Sequence, residues 1–487
     1  MTTPATARPL ENAVFGAAML AHRLPWADAP ARALGLDVLT REGAARAVLA
    51  HLCRGGAGRP VRLRTPFGSF LVPLGPADTA GLLAEGAASD ALAPAVRLDA
   101  AGRRHGLHPH VPLPPDAAPA ADVLAATLAG ELEPLAGARR DDHVLTWEAW
   151  RPGLLRAARR VVAGAAAADD SLLSEVLART AAAAGSRAHD ARAAALHRRL
   201  APYLADPDPG SVAAGLARST AAVPAARREG AVPPGEGHRE EALAHTLAVV
   251  SEAAVTTALQ ALALMGAGMP GAAAGPAGAV ALALDRFPPV EAAVHPVRTR
   301  FAWEGLTVDA GTEILAAPGW LPQDAGGRDA DGQGADGHPD GAPRRERPSP
   351  LCGSATGCPA AAFAVRVAEE TVRFLTTASR PALLSPALTP DRMPLTLAPH
   401  TLRVALAAEG AVPPAGRAAG PAAYAVLARA DADRLDGHAR TLAACAAEPG
   451  WNGDETGERF RTRLLEHADR CTRAASDVRA AARRLAD

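Results

Sequence analysis

The 487-residue chain contains no lysine, so all 51 of its basic side chains are arginine. A phosphate-binding Gly-Lys-Ser/Thr loop, a kinase active site and a pyridoxal phosphate Schiff base each need a lysine amine, and the sequence excludes all three. Aromatic residues make up only 3% of the chain, which argues against platforms that stack nucleic-acid bases. The formal net charge of -1 lacks the basic excess that is typical of nucleic-acid binders.

Cysteine and long uncharged segments are also scarce. Five cysteines are too few for a disulfide framework in a chain of this length. The most apolar stretch, residues 247–265, contains Glu252 and therefore does not predict a membrane span. We expect a soluble, cytoplasmic protein that contacts neither nucleic acid nor membrane.

Hydrophobic periodicity predicts a mainly helical domain with small sheets. Residues 240–265 form the longest predicted helix, and a further helix starts after Pro359 and runs to about residue 377. The remaining predicted elements are a β-hairpin over residues 61–73, helices over residues 147–163 and 171–184, two short strands around an Asp-Ala-Gly turn over residues 306–315, and a strand pair near residues 396–406.

Composition divides the chain into a main domain over residues 1–412, a linker over residues 413–421 and a tail over residues 422–487. Residues 323–350 are rich in Asp and Gly with almost no apolar side chains, which predicts a disordered insertion in the main domain. The tail reads as a helical hairpin, because its second half carries a heptad seam. The seam consists of Phe460, Leu464, His467, Cys471, Ala474, Val478, Ala481 and Leu485.

Cys358 is the residue whose surroundings indicate chemistry. It ends a Gly/Ser/Ala-rich loop that runs directly into an amphipathic helix. A thiolate at a helix start receives backbone N–H groups and the positive end of the helix dipole, both of which stabilise the anion. The position predicts an activated or metal-ligating cysteine, and a buried structural thiol is the alternative.

The loop resembles the heme loop of the cytochrome P450 family, the heme-thiolate monooxygenases. The family loop reads Phe-x-x-Gly-x-Arg/His-x-Cys-x-Gly and leads into a helix that carries a Leu-Ala pair. Cys358 matches the iron-ligating cysteine, Pro359 matches the common next residue, and Phe363 with the following alanine matches the Leu-Ala pair. The chain departs from the family pattern at Leu351, Ser354, Thr356 and Ala360.

The long helix resembles the family's oxygen-binding helix, because Glu252-Ala-Ala-Val-Thr256-Thr257 is similar to Ala-Gly-x-Asp/Glu-Thr-Thr. The resemblance implies that Thr256 steadies iron-bound dioxygen and helps to deliver protons. Val255 occupies the place of the usual acid, and Glu252, one turn before Thr256 on the same face, is its substitute. Alternatively, both threonine hydroxyls bond back to the helix backbone.

The residues that follow resemble the family's scaffold around the heme. Arg286 matches the arginine of the family's Glu-x-x-Arg helix, although Ala283 stands where the glutamate is expected. Counting back from residues 304–312, which resemble the family's Gly-Gly-x-x-Ile-Pro-Ala-Gly-Thr hairpin, places His295 at the usual propionate-binding arginine. Arg298 and Arg300 are the alternatives for that role.

The resemblance covers roughly residues 30–410. It implies a mainly α fold with small β-sheets, a cytochrome P450-like fold, followed by the C-terminal α-helical hairpin. It also implies heme b on Cys358, an apolar small-molecule substrate, and insertion of one oxygen atom from O2. Electrons would come from a separate ferredoxin-type partner, because the sequence has no flavin or iron–sulfur motif.

A second hypothesis makes the chain a catalytically degenerate member of this fold that acts as a partner protein. The missing Glu–Arg pair, the missing basic residue in the loop and the missing acid beside Thr256 favour it. The tail, with Trp451-Asn-Gly453 at its turn, resembles the WXG family of small dimerising helical proteins. Residues 422–487 are therefore a candidate interaction or dimerisation module.

Overall fold

The computed structural model resolves two compact units, Met1–Ala411 and Val412–Asp487. Within them the structure describes residues 4–21, 39–55, 59–66, 68–93, 95–98, 104–106, 113–137, 144–184, 186–221, 238–317, 319–321, 351–355, 357–390, 393–408, 421–448 and 455–486. The predicted insertion over residues 323–350, Thr356 and the Trp451 turn lie outside these ranges.

The first unit is mostly helical, as predicted. Its α-helices are Pro9–Ala21, Arg41–Gly55, Pro76–Ala88, Ala121–Gly137, Trp147–Ala163, Ala165–Ala168, Ser171–Ala182, His189–Ala205, Val212–Ala221, His238–Ala248, Val255–Gly266, Pro276–Arg286 and Ala361–Thr377. Short 3-10 turns lie at Pro115–Ala117, Pro270–Ala274 and Pro399–Thr401. The helices predicted over residues 147–163 and 171–184, and the one after Pro359, are confirmed.

One continuous helix, His238–Gly266, runs through the main hydrophobic core and is called the core helix below. Its middle, Val249–Ala254, is a π-helical segment, a wider turn that is frequent at functional sites. By length and composition the core helix could cross a membrane, so the expectation that Glu252 disqualifies this stretch is wrong. However, 83% of its most apolar window is buried inside the protein.

Three small sheets complete the first unit. Seven strands pair in the order β1-β2-β3-β10-β7-β4-β5, three in the order β11-β12-β6, and β8 pairs with β9. Their bounds are β1 Ala5–Thr6, β2 Val61–Thr65, β3 Gly68–Val72, β4 Val96–Leu98, β5 Arg104–Gly106, β6 Val144–Thr146, β7 Ala293–Pro296, β8 Phe301–Trp303, β9 Leu306–Val308, β10 Glu313–Ala316, β11 Ser379–Ser385 and β12 Arg403–Ala408.

The antiparallel pairing of β2 with β3 confirms the predicted hairpin. The two strands predicted around the Asp-Ala-Gly turn exist, but they do not pair with each other. A tight turn at Glu304 and Gly305, both with positive φ, pairs β9 with β8 instead. β10 enters the large sheet, parallel to β3 and antiparallel to β7.

The strand pair predicted near residues 396–406 is wrong. Pro399–Thr401 is a 3-10 turn, and β12 begins only at Arg403. Proline cannot donate a ladder hydrogen bond, which explains the delayed start of this strand. The partners of β12 come from distant parts of the chain, β11 on one side and β6 on the other.

The second unit is a helical hairpin with arms Pro421–Ala446 and Glu455–Ala486, and its second arm, at 32 residues, is longer than the core helix. Buried alanines recur every seventh residue on both arms. They are Ala432, Ala439 and Ala446 on the first arm and Ala468, Ala475 and Ala482 on the second. Arg479 also bridges the arms, lying 2.7 Å from the Asp433 carboxylate. Small side chains at every seventh position allow close approach of the two backbones.

Of the seven predicted seam positions on the second arm whose side chains the structure describes, Phe460, His467 and Ala481 are exposed and the other four, including Ala474, are partly buried. Leu464, Cys471 and Val478 are partly buried, as the heptad pattern predicts. His467 and Ala481 are exposed, because the next residue along the chain, an alanine in each case, faces the first arm instead. The heptad rule assigned the larger side chains to the interior, whereas the buried face is built on the small ones.

We expect Gly215→Ala to lower the free energy of unfolding by about 1–3 kcal/mol, the usual cost of overpacking. A Cβ at Gly215 would lie 2.1 Å from the backbone oxygen of Ala117, so one chain segment must move. Gly130→Ala is the matched control, because it also lies inside a helix but would meet no atom within 4 Å. This control should gain about 0.5–1 kcal/mol. Urea unfolding of both variants tests this packing. Changes of the same sign in the free energy of unfolding would contradict the close contact at Gly215.

Leucine at Ala475 should destabilise the hairpin by about 1–3 kcal/mol, because Ala475 is fully buried between the arms. Leucine at exposed Ala481 should have an effect within about 0.5 kcal/mol. Hydrogen exchange of the amides in both arms of the full-length chain distinguishes the two variants. If only Ala481→Leu lost amide protection, the result would contradict the alanine seam and support the seam predicted from the heptads.

Candidate functional site

Two glycines shape the loop that carries Cys358, residues 351–360, called the cysteine loop below. Gly353 and Gly357 have φ values of 71° and 91°, which glycine adopts readily because it has no Cβ. Each glycine is adjacent to a cysteine, Gly353 to Cys352 and Gly357 to Cys358. The reversals bring these two cysteines, six residues apart, to the same place in the core.

The third member of the cluster is His245, which comes from the core helix. Its Nε2 lies 3.5 Å from the Sγ of Cys358. The donor atoms of His245, Cys352 and Cys358 all lie within 4.8 Å of one another. Neither cysteine belongs to a disulfide. The structure therefore places one imidazole and two sulfurs at the junction between the core helix and the cysteine loop.

The cluster is buried in apolar surroundings. His245 and Cys352 are 2% and 1% exposed, and Cys358 is half-buried. Around them lie Leu351 and Ala360, which belong to the same hydrophobic core. Polar groups in such a place are stable only when they are paired with hydrogen-bond partners or a cation.

The pKa of Cys358 is lowered to about 5. The largest cause is a hydrogen bond from Cys352, and burial opposes it by raising the pKa. A hydrogen bond and positive charge from His245 lower it further, as does the backbone N–H of Ala360 at the start of the next helix. A pKa of about 5 favours the thiolate form of Cys358 at neutral pH.

The core helix carries further polar groups beyond His245. Thr256 and Glu252 are both half-buried and lie one turn apart on one face, as expected. The hydroxyls of buried Ser251 and Thr257 have no hydrogen-bond partner, so the alternative that Thr257 bonds back to the helix is wrong. Thr246 does bond back, donating to the Ala242 carbonyl at 2.8 Å.

The structure brings Cys358 next to His245, and not next to Thr256, the position predicted from the oxygen-binding motif. His245 and Thr256 are eleven residues apart, about 16 Å along a helix. The contact described between Cys358 and the core helix therefore lies three turns before the proposed oxygen-binding threonine.

His295 lies on β7 and is 1% exposed, and among the residues that the structure describes its Nε2 has no hydrogen-bond partner. Burial lowers the pKa of His295 to about 4, so its imidazole is neutral at pH 7. A neutral imidazole can hydrogen-bond to a propionate but cannot balance its charge. The alternatives Arg298 and Arg300 are exposed, and Arg300 Nε donates to the Asp309 carboxylate at 2.9 Å. Arg286, predicted as a scaffold residue, lies 3.7 Å from its neighbour Asp285.

The residues around Cys358 do not fit an oxygen-activating heme. Cys358 would hold such a heme, which would supply oxygen-activating chemistry only if a porphyrin had room between the cysteine sulfur and the core helix. In this structure a side chain of that helix is already within hydrogen-bonding distance of the sulfur, at 3.5 Å.

Sequence reasoning missed two members of the cluster, His245 and Cys352. Cys352 had a signal in the mirrored order Cys-Gly and Gly-Cys at the two ends of the loop, which is typical of a chain that folds back. His245 had a weaker signal, because it is the one histidine within an apolar helix face over residues 242–264. The cluster joins His245 to cysteines more than 100 residues further along the chain, and local sequence patterns do not encode such a contact.

No protein-family model and no curated protein matches the sequence. Similar solved structures are cytochromes P450. CYP108D1 from Novosphingobium aromaticivorans has 13% identity and a TM-score of 0.48, with 83% of this chain and 100% of that chain covered. CYP109Q5 from Chondromyces apiculatus has 18% identity and a TM-score of 0.44, with 74% and 95% covered. Mycobacterium marinum CYP150A6, in the substrate-free form, has 16% identity and a TM-score of 0.42, with 75% and 96% covered. These likenesses concern the overall fold alone.

Alkylation of Cys358 in metal-free protein should proceed at a nearly constant rate above about pH 6 and fall as the pH drops through about 5, because only the thiolate reacts. Cys53, whose pKa burial raises, should react only in alkaline solution. His245→Ala should move the Cys358 transition to higher pH. Peptide mass spectrometry after iodoacetamide pulses resolves both cysteines, and an unchanged transition in His245→Ala would contradict the described contact.

Proposed function

We propose that this protein is a degenerate relative of the heme-thiolate monooxygenases, one that has a cytochrome P450-like fold and acts without an oxygen-activating heme. The contact between His245 Nε2 and Cys358 Sγ carries the proposal. It puts an imidazole beside the sulfur that the family resemblance assigns to heme iron, three helical turns before Thr256.

Departures from the family sequence pattern at three other positions support the same proposal. Ala283, where the family has glutamate, is fully buried among apolar side chains, so no carboxylate reaches Arg286 from that position. The buried residue at the propionate position is the neutral His295. Val255, at the position of the usual acid, is buried in the main core. Three separate requirements of heme binding or oxygen activation are therefore altered together.

A heme-thiolate monooxygenase is the second candidate, and the thiolate at Cys358 favours it. This function would require His245 to withdraw from the sulfur so that heme b could bind. Thr256 with Glu252 would then handle protons, and His295, Arg298 or Arg300 would face the propionates. The reaction would need a ferredoxin-type electron donor and an apolar small-molecule substrate in the cytoplasm.

The hairpin of residues 422–487 is proposed as the interaction module of this partner protein. Its alanine seam is buried between its own arms, so the seam itself is not the surface for a second copy. Phe460 and Leu465 are instead 45% and 48% exposed on the second arm. Large apolar side chains on the outer surface of a hairpin are suitable anchors for a protein partner.

Protein purified from heme-replete cells should show no red-shifted Soret band after reduction and addition of carbon monoxide. The physical reason is that His245 occupies the approach to the Cys358 sulfur. His245→Gly removes the imidazole, and we expect this variant to take up some heme through Cys358. Stoichiometric heme with a red-shifted band in the unmodified chain would overturn the proposal in favour of the second candidate. In that event Cys358→Ala should abolish the band and Cys352→Ala should leave it.

A further inference from the structure

We infer that His245, Cys352 and Cys358 form a binding site for one divalent transition-metal ion of the Zn2+ class, held without a porphyrin. The three donors converge from the core helix and the cysteine loop, with all donor atoms within 4.8 Å of one another. The inference rests on the proposed absence of heme, and the experiments below separate the failure of one from the failure of the other.

The separation between His245 and Cys358 matches that of two ligands in a tetrahedral site. Zinc binds thiolate sulfur at about 2.3 Å and imidazole nitrogen at about 2.0–2.1 Å. Tetrahedral angles then separate a nitrogen and a sulfur ligand by about 3.5 Å and two sulfurs by about 3.8 Å. The observed separation between His245 Nε2 and Cys358 Sγ is 3.5 Å. The separations that involve Cys352 lie within 4.8 Å, so a tetrahedral ion would draw these donors together by at most about 1 Å.

The chemistry of the donor set selects the same class of ion. Two cysteines and one histidine are typical zinc ligands, while calcium and magnesium prefer oxygen donors. Two thiolates neutralise a divalent cation, so the loaded site has no net charge. A neutral cluster is what the apolar surroundings of Leu351 and Ala360 require.

The backbone presents the donors in advance of binding. His245 is fixed on a buried helix, and the positive-φ residues Gly353 and Gly357 set the direction of each cysteine. Three protein ligands leave a fourth tetrahedral position, which is the pattern of sites that also bind water or a small ligand. Cys358 is the one of the three donors that is only half-buried.

A metal at this site would tie the cysteine loop to the core helix across more than 100 residues of sequence. Binding to the folded state alone stabilises that state in proportion to the logarithm of metal concentration. The ion would thus perform in this chain the linking role that heme performs when it binds both a cysteine loop and its surroundings.

The test is elemental analysis of the full-length protein, purified under reducing conditions, before and after reconstitution with Zn2+. We expect one zinc per chain and its loss in each of His245→Ala, Cys352→Ala and Cys358→Ala. Cys445→Ser and Cys53→Ala are the controls, because these cysteines lie on the hairpin and in a different core, and both variants should retain the metal.

Cobalt substitution of the unmodified chain gives a second readout that needs no variant. Tetrahedral thiolate coordination should produce intense visible and thiolate-to-cobalt charge-transfer bands, and Zn2+ should displace them. Absence of stoichiometric zinc and of these bands, in protein whose two thiols are reduced, overturns the inference while the proposed absence of heme stands. Stoichiometric heme on Cys358 would instead overturn both.

Discussion

The structure of this protein depends on the direct contact between a buried imidazole on the core helix and the sulfur at the end of the cysteine loop. His245 can approach Cys358 to 3.5 Å only because helix and loop are in immediate contact. The same contact, with Cys352 and the Ala360 N–H, lowers the pKa of the thiol to about 5. The contact thus contributes to the lowered pKa of the cysteine, after the larger effect of Cys352, and limits which groups can reach the sulfur.

Composition explains how helix and loop come so close. With aromatic residues at 3% of the chain, the main core is filled largely by alanine, leucine and valine. Small side chains permit short distances between backbones, as at Gly266, where an added Cβ would lie 2.6 Å from the backbone nitrogen of Leu383. The alanine seam of the hairpin follows the same rule. The bias toward alanine is therefore a structural determinant of this protein, in the core and in the tail alike.

Local sequence patterns predicted the secondary-structure elements better than they predicted which elements pair with one another. The hairpin of β2 and β3 and the helix Trp147–Ala163 follow from alternation and periodicity within one segment. The partners of β10 and β12 come from distant segments, so no local pattern specifies them. The cluster illustrates the same limit, because Cys358 was predictable from its helix start, whereas His245 depends on how the core helix packs. The thiolate of Cys358 could be predicted from sequence, whereas the contact of His245 with its sulfur could not.

A fold and the chemistry performed on it can separate, because a few side chains determine the chemistry. Here the chain has a cytochrome P450-like fold, while the positions that the sequence resemblance assigned to heme binding carry other groups. Ala283 provides no carboxylate, His295 provides no charge, and His245 meets the sulfur directly. A buried thiolate needs a hydrogen-bonding or cationic partner. The imidazole and the second cysteine meet that need, and the same three side chains form a set of metal ligands.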